Sequence, residues 1–290
     1  MSGAATSRSH LRRVGLLVGG LLACAQLVAA HPAFEDVERH STQLVAERPD
    51  DPAAYLTLAQ TRRIARDWDG ALVALEHAAA HGAQPVEVTA LRAAVFLDAG
   101  WSNMALLEAD RALLLDAGQP QVQILRGRAS LALGRPQEAA RAFALAIEGT
   151  RNPTPDQVLV LADALVAAGD RPGAVAALDH GLTRIGLVPS LALPALDLEL
   201  EIGRADAALR RIDALLATNA RNELWLARRG EVLDRLGRND EARVARAGAL
   251  AAIQSRPDGR RGSRSASLER ELRSALAPED HPPPDAKERP

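Results

Sequence analysis

The sequence is short of aromatic side chains. Phe, Trp and Tyr together make up 2% of 290 residues, although 47% of the chain is hydrophobic. A core without large rings must be built from closely packed small and medium side chains. That disfavours an all-β sandwich, which draws on Val, Ile, Tyr and Phe. Alanine and leucine supply most of the apolar content, and both lead the helix propensity scale. The composition therefore predicts an all-α chain. Lysine is nearly absent too. Lys287 is the only one among 35 basic residues, and the rest are arginine. Codon usage accounts for that bias. The formal charge is −2 and no basic cluster with interleaved aromatics exists, so a nucleic-acid partner is not expected.

Cysteine is also scarce. Cys24 is the only one, and it lies in an N-terminal segment with the pattern of an export signal. Arg8, Arg12 and Arg13 precede an uncharged stretch from Val14 to Ala30, and Val28-Ala29-Ala30 offers small residues for a peptidase. Residues 1–30 are read as a signal peptide, with His31-Pro32 beginning the mature chain. Removing them takes away three arginines and no acid, so the formal charge falls from −2 to −5. Leu21-Leu22-Ala23-Cys24 also resembles a bacterial lipobox, which would leave a lipid anchor at Cys24. An uncleaved signal is the third alternative. The expected location is periplasmic or secreted, with membrane contact only through such an anchor. No later segment is long and apolar enough to span a bilayer.

The chain repeats itself. From Ala71, steps of 34 reach Ala105 and Ala139, a step of 35 reaches Ala174, and two further steps of 34 reach Ala208 and Ala242. Five residues before these markers stand Gly100, Gly134, Gly169, Gly203 and Gly237, with Arg66 in the first unit. Twelve before them stand Ala59, Ala93, Gly127, Ala162, Leu196 and Gly230. Seven after them come Ala78, Ala112, Ala146, Gly181, Leu215 and Ala249. Four after them come Leu75, Ala109, Phe143, Leu178, Ile212 and Arg246. Two amphipathic helices per period, joined by a glycine turn, satisfy this spacing. Small residues at facing positions let paired helices approach closely, and the residue four after the marker is expected to fill space between consecutive hairpins.

On these residues the chain resembles the tetratricopeptide repeat family. Tyr55, Leu58 and Ala59 follow the family's opening pattern, whereas Trp225 lies one residue off it and the terminal proline is missing from all six units. The resemblance implies a right-handed superhelical solenoid of about six hairpins over residues 51–255. A capping half-repeat over 31–50 would precede it; Phe34 to Glu47 would form its helix, and Pro49 would fall at the proline position. Residues 256–266 are expected to be a flexible linker. A last helix is expected over 267–277, with Ser267 as N-cap and Arg270 standing in for the capping-box acid. A disordered tail over 278–290 would follow.

No catalytic set is present: neither a phosphate loop, nor a paired-histidine zinc motif, nor a nucleophile elbow is found, so no enzymatic activity and no cofactor are expected. Two histidine features allow metal chemistry. His77 and His81 are four apart on a predicted helix. His31 would become the mature N-terminus and resembles a copper-gripping histidine brace, with His40 as the second imidazole. A copper-handling accessory is therefore the alternative function. The leading expectation is a scaffold that binds a protein or peptide along its first helices. By register the groove residues are Leu56, Gln60, Arg63, Ala90, Ala94, Leu97, Ile124, Arg128 and Leu131, then Leu159, Asp163, Val166, Leu193, Asp197, Leu200, Ala227, Glu231 and Asp234. Their charge passes from basic to acidic along the chain. The lysine–asparagine clamp that some family members use for a C-terminal carboxylate is absent.

Overall fold

A computed structural model describes residues 32–218, 222–255 and 263–277. The signal-peptide reading, Cys24, His31 and the tail over 278–290 lie outside the described residues. Fourteen helices, and no strand, occur among those described: α1 Pro32–Glu47, α2 Pro52–Ala65, α3 Trp68–Ala80, α4 Pro85–Asp98, α5 Ser102–Leu115, α6 Pro120–Ala132, α7 Pro136–Gly149, α8 Pro155–Ala167, α9 Arg171–Ile185, α10 Pro189–Glu201, α11 Ala205–Thr218, α12 Glu223–Arg235, α13 Asn239–Gln254 and α14 Ser263–Leu276. The chain divides into two compact units, residues 1–151 and 152–290. Within each unit every helix packs on the next in chain order.

The recurring glycines do what the spacing predicts. Gly100, Gly134, Gly169, Gly203 and Gly237 all have positive φ, between 71° and 83°. In each, the amide of the following residue donates to the carbonyl five residues back, as from Trp101 to Phe96 at 2.8 Å and from Arg135 to Ser130 at 2.8 Å. This is the Schellman closure, which satisfies helix-end carbonyls through one left-handed residue. The first unit makes the same turn without glycine. Arg66 has φ 64° and Asp67 N–H donates to Arg62 O at 2.9 Å. Proline stands at the first position of α2, α4, α6, α8 and α10. That position has no intrahelical use for an N–H, so these prolines start the next hairpin. Thr154 adds a full capping box with Gln157 before α8.

The small–large register closes the hairpins. All six marker alanines are buried. A Cβ on Gly127 of α6 would lie 2.6 Å from the Phe143 ring of α7, so the glycine leaves the space that the ring occupies. Phe143 thus fills its own hairpin, which corrects the expectation that this register position serves mainly between hairpins. The same exchange recurs at Gly230, where a Cβ would lie 2.8 Å from Arg246 Cγ.

Both end helices cover apolar faces. In the first unit Val45 of α1 packs on the core formed by Leu58, Leu75 and Val88. In the second, Leu268 and Leu272 of α14 pack on Ala227, Ala249 and Ile253. This last helix begins at Ser263, four residues before the expected start. Ser267 is therefore not its N-cap but lies in the helix, where its hydroxyl bonds Glu271 Oε1 at 3.2 Å. Nothing in residues 264–266 breaks a helix, so the helix extends upstream into the expected linker.

Candidate interaction groove

In the first unit the first helices of successive hairpins, α2, α4 and α6, touch one another in turn. Leu56 is half-buried against the α2–α3 core. Gln60, one turn on, is exposed. Arg63 reaches across to α4, where its Nη1 donates to Asp98 Oδ2 at 2.6 Å. Its Nε is buried without a partner. Ala90, Leu97, Ile124 and Leu131 are half-buried, while Ala94 is buried. Arg128 of α6 is exposed, and no hydrogen bond or carboxylate from the described residues meets its guanidinium. This strip is apolar at its floor and carries one uncommitted cation.

In the second unit α8 and α10 touch, and α12 follows through α11. Leu159, Val166, Leu193 and Leu200 are half-buried. Asp163 has no hydrogen bond and no ion pair among the described residues. Much of its side chain meets solvent, yet burial by its surroundings pushes its carboxyl above the usual range. Unrelieved loss of hydration is the whole cause, because nothing nearby stabilises the charge.

The other predicted acids are committed. Asp197 accepts Arg228 Nη2 at 3.3 Å, and the same guanidinium meets Glu231 through Nη1 at 2.7 Å. Desolvation alone would lower the Arg228 pKa. The bond to Glu231 and the charges of Glu231 and Asp197 outweigh it and raise it. Asp234 pairs with Arg246 of α13 in its own hairpin. Ala227 is buried beneath α14, so it faces a core and lines nothing. The acidic half of the predicted charge trend is thus neutralised except at Asp163. Asp98 and Arg228 were not singled out from the sequence. Asp98 lies 35 residues after Arg63, one residue beyond a full repeat, and that offset was the available signal.

Among the described residues the candidate histidines are placed as follows. His77 and His81 both stack on Tyr55, with ring centroids 5.2 Å away and interplanar angles of 19° and 4°. Asp50 lies 3.9 Å from His81 Nδ1, beyond hydrogen-bond distance. His40 is exposed on α1. Among the described residues no group of three or more metal-ligating side chains comes together.

No family model matches the chain, and no curated protein matches it. Solved structures do. The C-terminal part of a tetratricopeptide repeat-containing protein from Cytophaga hutchinsonii is similar with a TM-score of 0.58 and 14% identity, covering 85% of this chain and 98% of that one. A tetratricopeptide repeat protein from Parabacteroides merdae is similar at 0.46 and 14% identity, covering 88% and 98%. Helix order, the six Schellman turns and the first of these likenesses define the class: this is a tetratricopeptide-type array of helix hairpins.

Proposed function

We propose that this protein is an exported protein–protein interaction scaffold that receives a partner segment along its first helices. The observation that carries the reading is the contrast between committed and uncommitted charges. Asp98, Asp197, Glu231 and Asp234 are each held by an arginine of this chain. Arg128 and Asp163 occupy the same kind of inward position and are held by none among the described residues. An unrelieved, partly desolvated carboxylate costs stability, and a partner's cation would relieve it. Half-buried Leu159 and Val166 beside it, and Ile124 and Leu131 beside Arg128, offer apolar contact at helical spacing. Export rests on the N-terminal pattern of residues 1–30, with Cys24 as a point of lipid attachment under the lipobox reading.

The test is quantitative capture from the cell envelope with the wild-type chain, an Arg128→Glu variant and an Asp163→Arg variant. The reading expects a partner common to several preparations that falls at least about 10-fold with one reversal. Helicity should be unchanged, since both side chains project from the fold. Equal capture by all three proteins would contradict it. Mass spectrometry of the same samples identifies the mature N-terminus.

A further inference from the structure

Helix α5 carries an outer face unlike that of the other second helices. At the outward positions, one before the marker alanine and two, six, nine and ten after it, α5 has Met104, Leu107, Arg111, Leu114 and Leu115. At the same positions α3, α7 and α13 have one large apolar residue each, Val73, Leu145 and Val244, and α9 and α11 have none. These α5 side chains are open to solvent: Met104 and Leu107 are 45% exposed, Leu115 55% and Leu114 87%. The single charge among them is already answered. Arg111 Nη1 bonds buried Glu108 at 2.7 Å, which ties the guanidinium back to the helix that bears it. The result is an apolar stripe with no partner among the described residues, flanked in chain order by the outer faces of α3 and α7, which expose one large apolar residue each, Val73 and Leu145.

We propose that this stripe joins two copies of the chain, α5 against α5, about a two-fold axis. Two observations favour a second copy. The first is area. The four apolar side chains expose on the order of 400 Å². A standard interface of about 800 Å² per partner, slightly more than half apolar, needs about that much. The second is charge. A two-fold axis along α5 brings the α3 side of one copy to the α7 side of the other. Glu76 on α3 and Arg141 on α7 are both exposed, and neither has a partner among the described residues. The rotation keeps height along α5, so Glu76, five after its marker, comes closer to Arg141, two after its own, than to Glu148, nine after, and does so twice. A lipid surface fits less well, because Glu76 and Glu148 beside the stripe repel anionic headgroups.

Analytical ultracentrifugation of the full chain over a concentration series tests this. The expected result is a reversible dimer whose dissociation constant rises at least about 100-fold in Leu107→Glu/Leu114→Glu, with far-UV circular dichroism unchanged. Leu114→Glu alone, at a nearly fully exposed position, is read if the double variant misfolds. Arg141→Glu and Glu76→Arg should each weaken the dimer about 5-fold, and together restore it. A monomer at about 100 µM, or a dimer that survives both leucine substitutions, would overturn the proposal. So would a monomer that adsorbs to phosphatidylglycerol vesicles through the same leucines. None of these outcomes bears on the groove reading, which uses other helices.

Discussion

Arg211 of α11 grips Glu199 of α10 with two prongs: Nη2 donates to Oε1 at 2.6 Å and Nε to Oε2 at 3.0 Å. The carboxylate side chain is 5% exposed and the guanidinium 11%. Asp179 of α9 meets the same Nη2 at 2.8 Å, so one arginine links three helices. Burial alone would lower the Arg211 pKa, but the bonds to both carboxylates raise it. Breaking such a pair strands a charge, whereas replacing both members with apolar groups need not destabilise. Arg211→Met is expected to cost about 3–4 kcal/mol in urea unfolding. Arg211→Met/Glu199→Leu should recover most of that loss. Equal loss in the single and double variants would show that geometry around Glu199, and not stranded charge, sets the cost.

Arg66 occupies a left-handed turn position that glycine holds in the other five units. A side chain there costs roughly 1 kcal/mol relative to glycine, partly offset by the greater unfolded entropy of glycine. Arg66→Gly should therefore raise stability by about 0.5–1 kcal/mol, read as a higher urea midpoint at constant slope. Gly134→Ala, at φ 71°, should lower it by about 1 kcal/mol.

That turn shows what was legible in the sequence. The glycine register fixed the hairpin boundaries because a left-handed residue is a local backbone requirement. Facing-residue size was legible only in part: Gly127 stands out as a small facing position, but the register alone placed its partner Phe143 between hairpins and not opposite it. The charge trend read less well. Register places Asp197 and Asp234 at their positions, but whether an arginine reaches them depends on side chains from other helices. Arg228 lies 31 residues from Asp197 and Arg246 lies 12 from Asp234, and no single offset predicts both. Residues 264–266 hold neither glycine nor proline, so nothing local marks a boundary between them and Ser267.

Gly127→Ala is expected to destabilise by about 1–3 kcal/mol, because its Cβ would enter the Phe143 ring. Phe143→Leu on that background should recover part of the loss. A thermal melt of the two single variants and the pair decides this. Strict additivity would mean the two residues do not compete for one space.

Asp163 makes a pH prediction. Its carboxyl is held above the ordinary range by burial, so the folded state keeps the proton to higher pH than the unfolded chain does. The charged form weighs against folding, and stability falls as pH rises from the ordinary aspartate range through the raised folded value. Asp163→Asn should therefore be more stable than wild type at pH 7. The advantage should vanish below about pH 3, where the unfolded carboxyl is also protonated. Chemical denaturation at both pH values reads it. An advantage of equal size at both would assign the gain to packing.

The scaffold reading is tested most directly by a photo-crosslinking amino acid placed at single sites in the full chain inside cells. Inward sites at Gln60 and Asp163 are compared with outward sites at Val73 and Ala176. The reading predicts a discrete crosslinked partner band from the inward sites and none of that mass from the outward ones. A band of the same mass from the outward sites, with the inward sites silent, would contradict it.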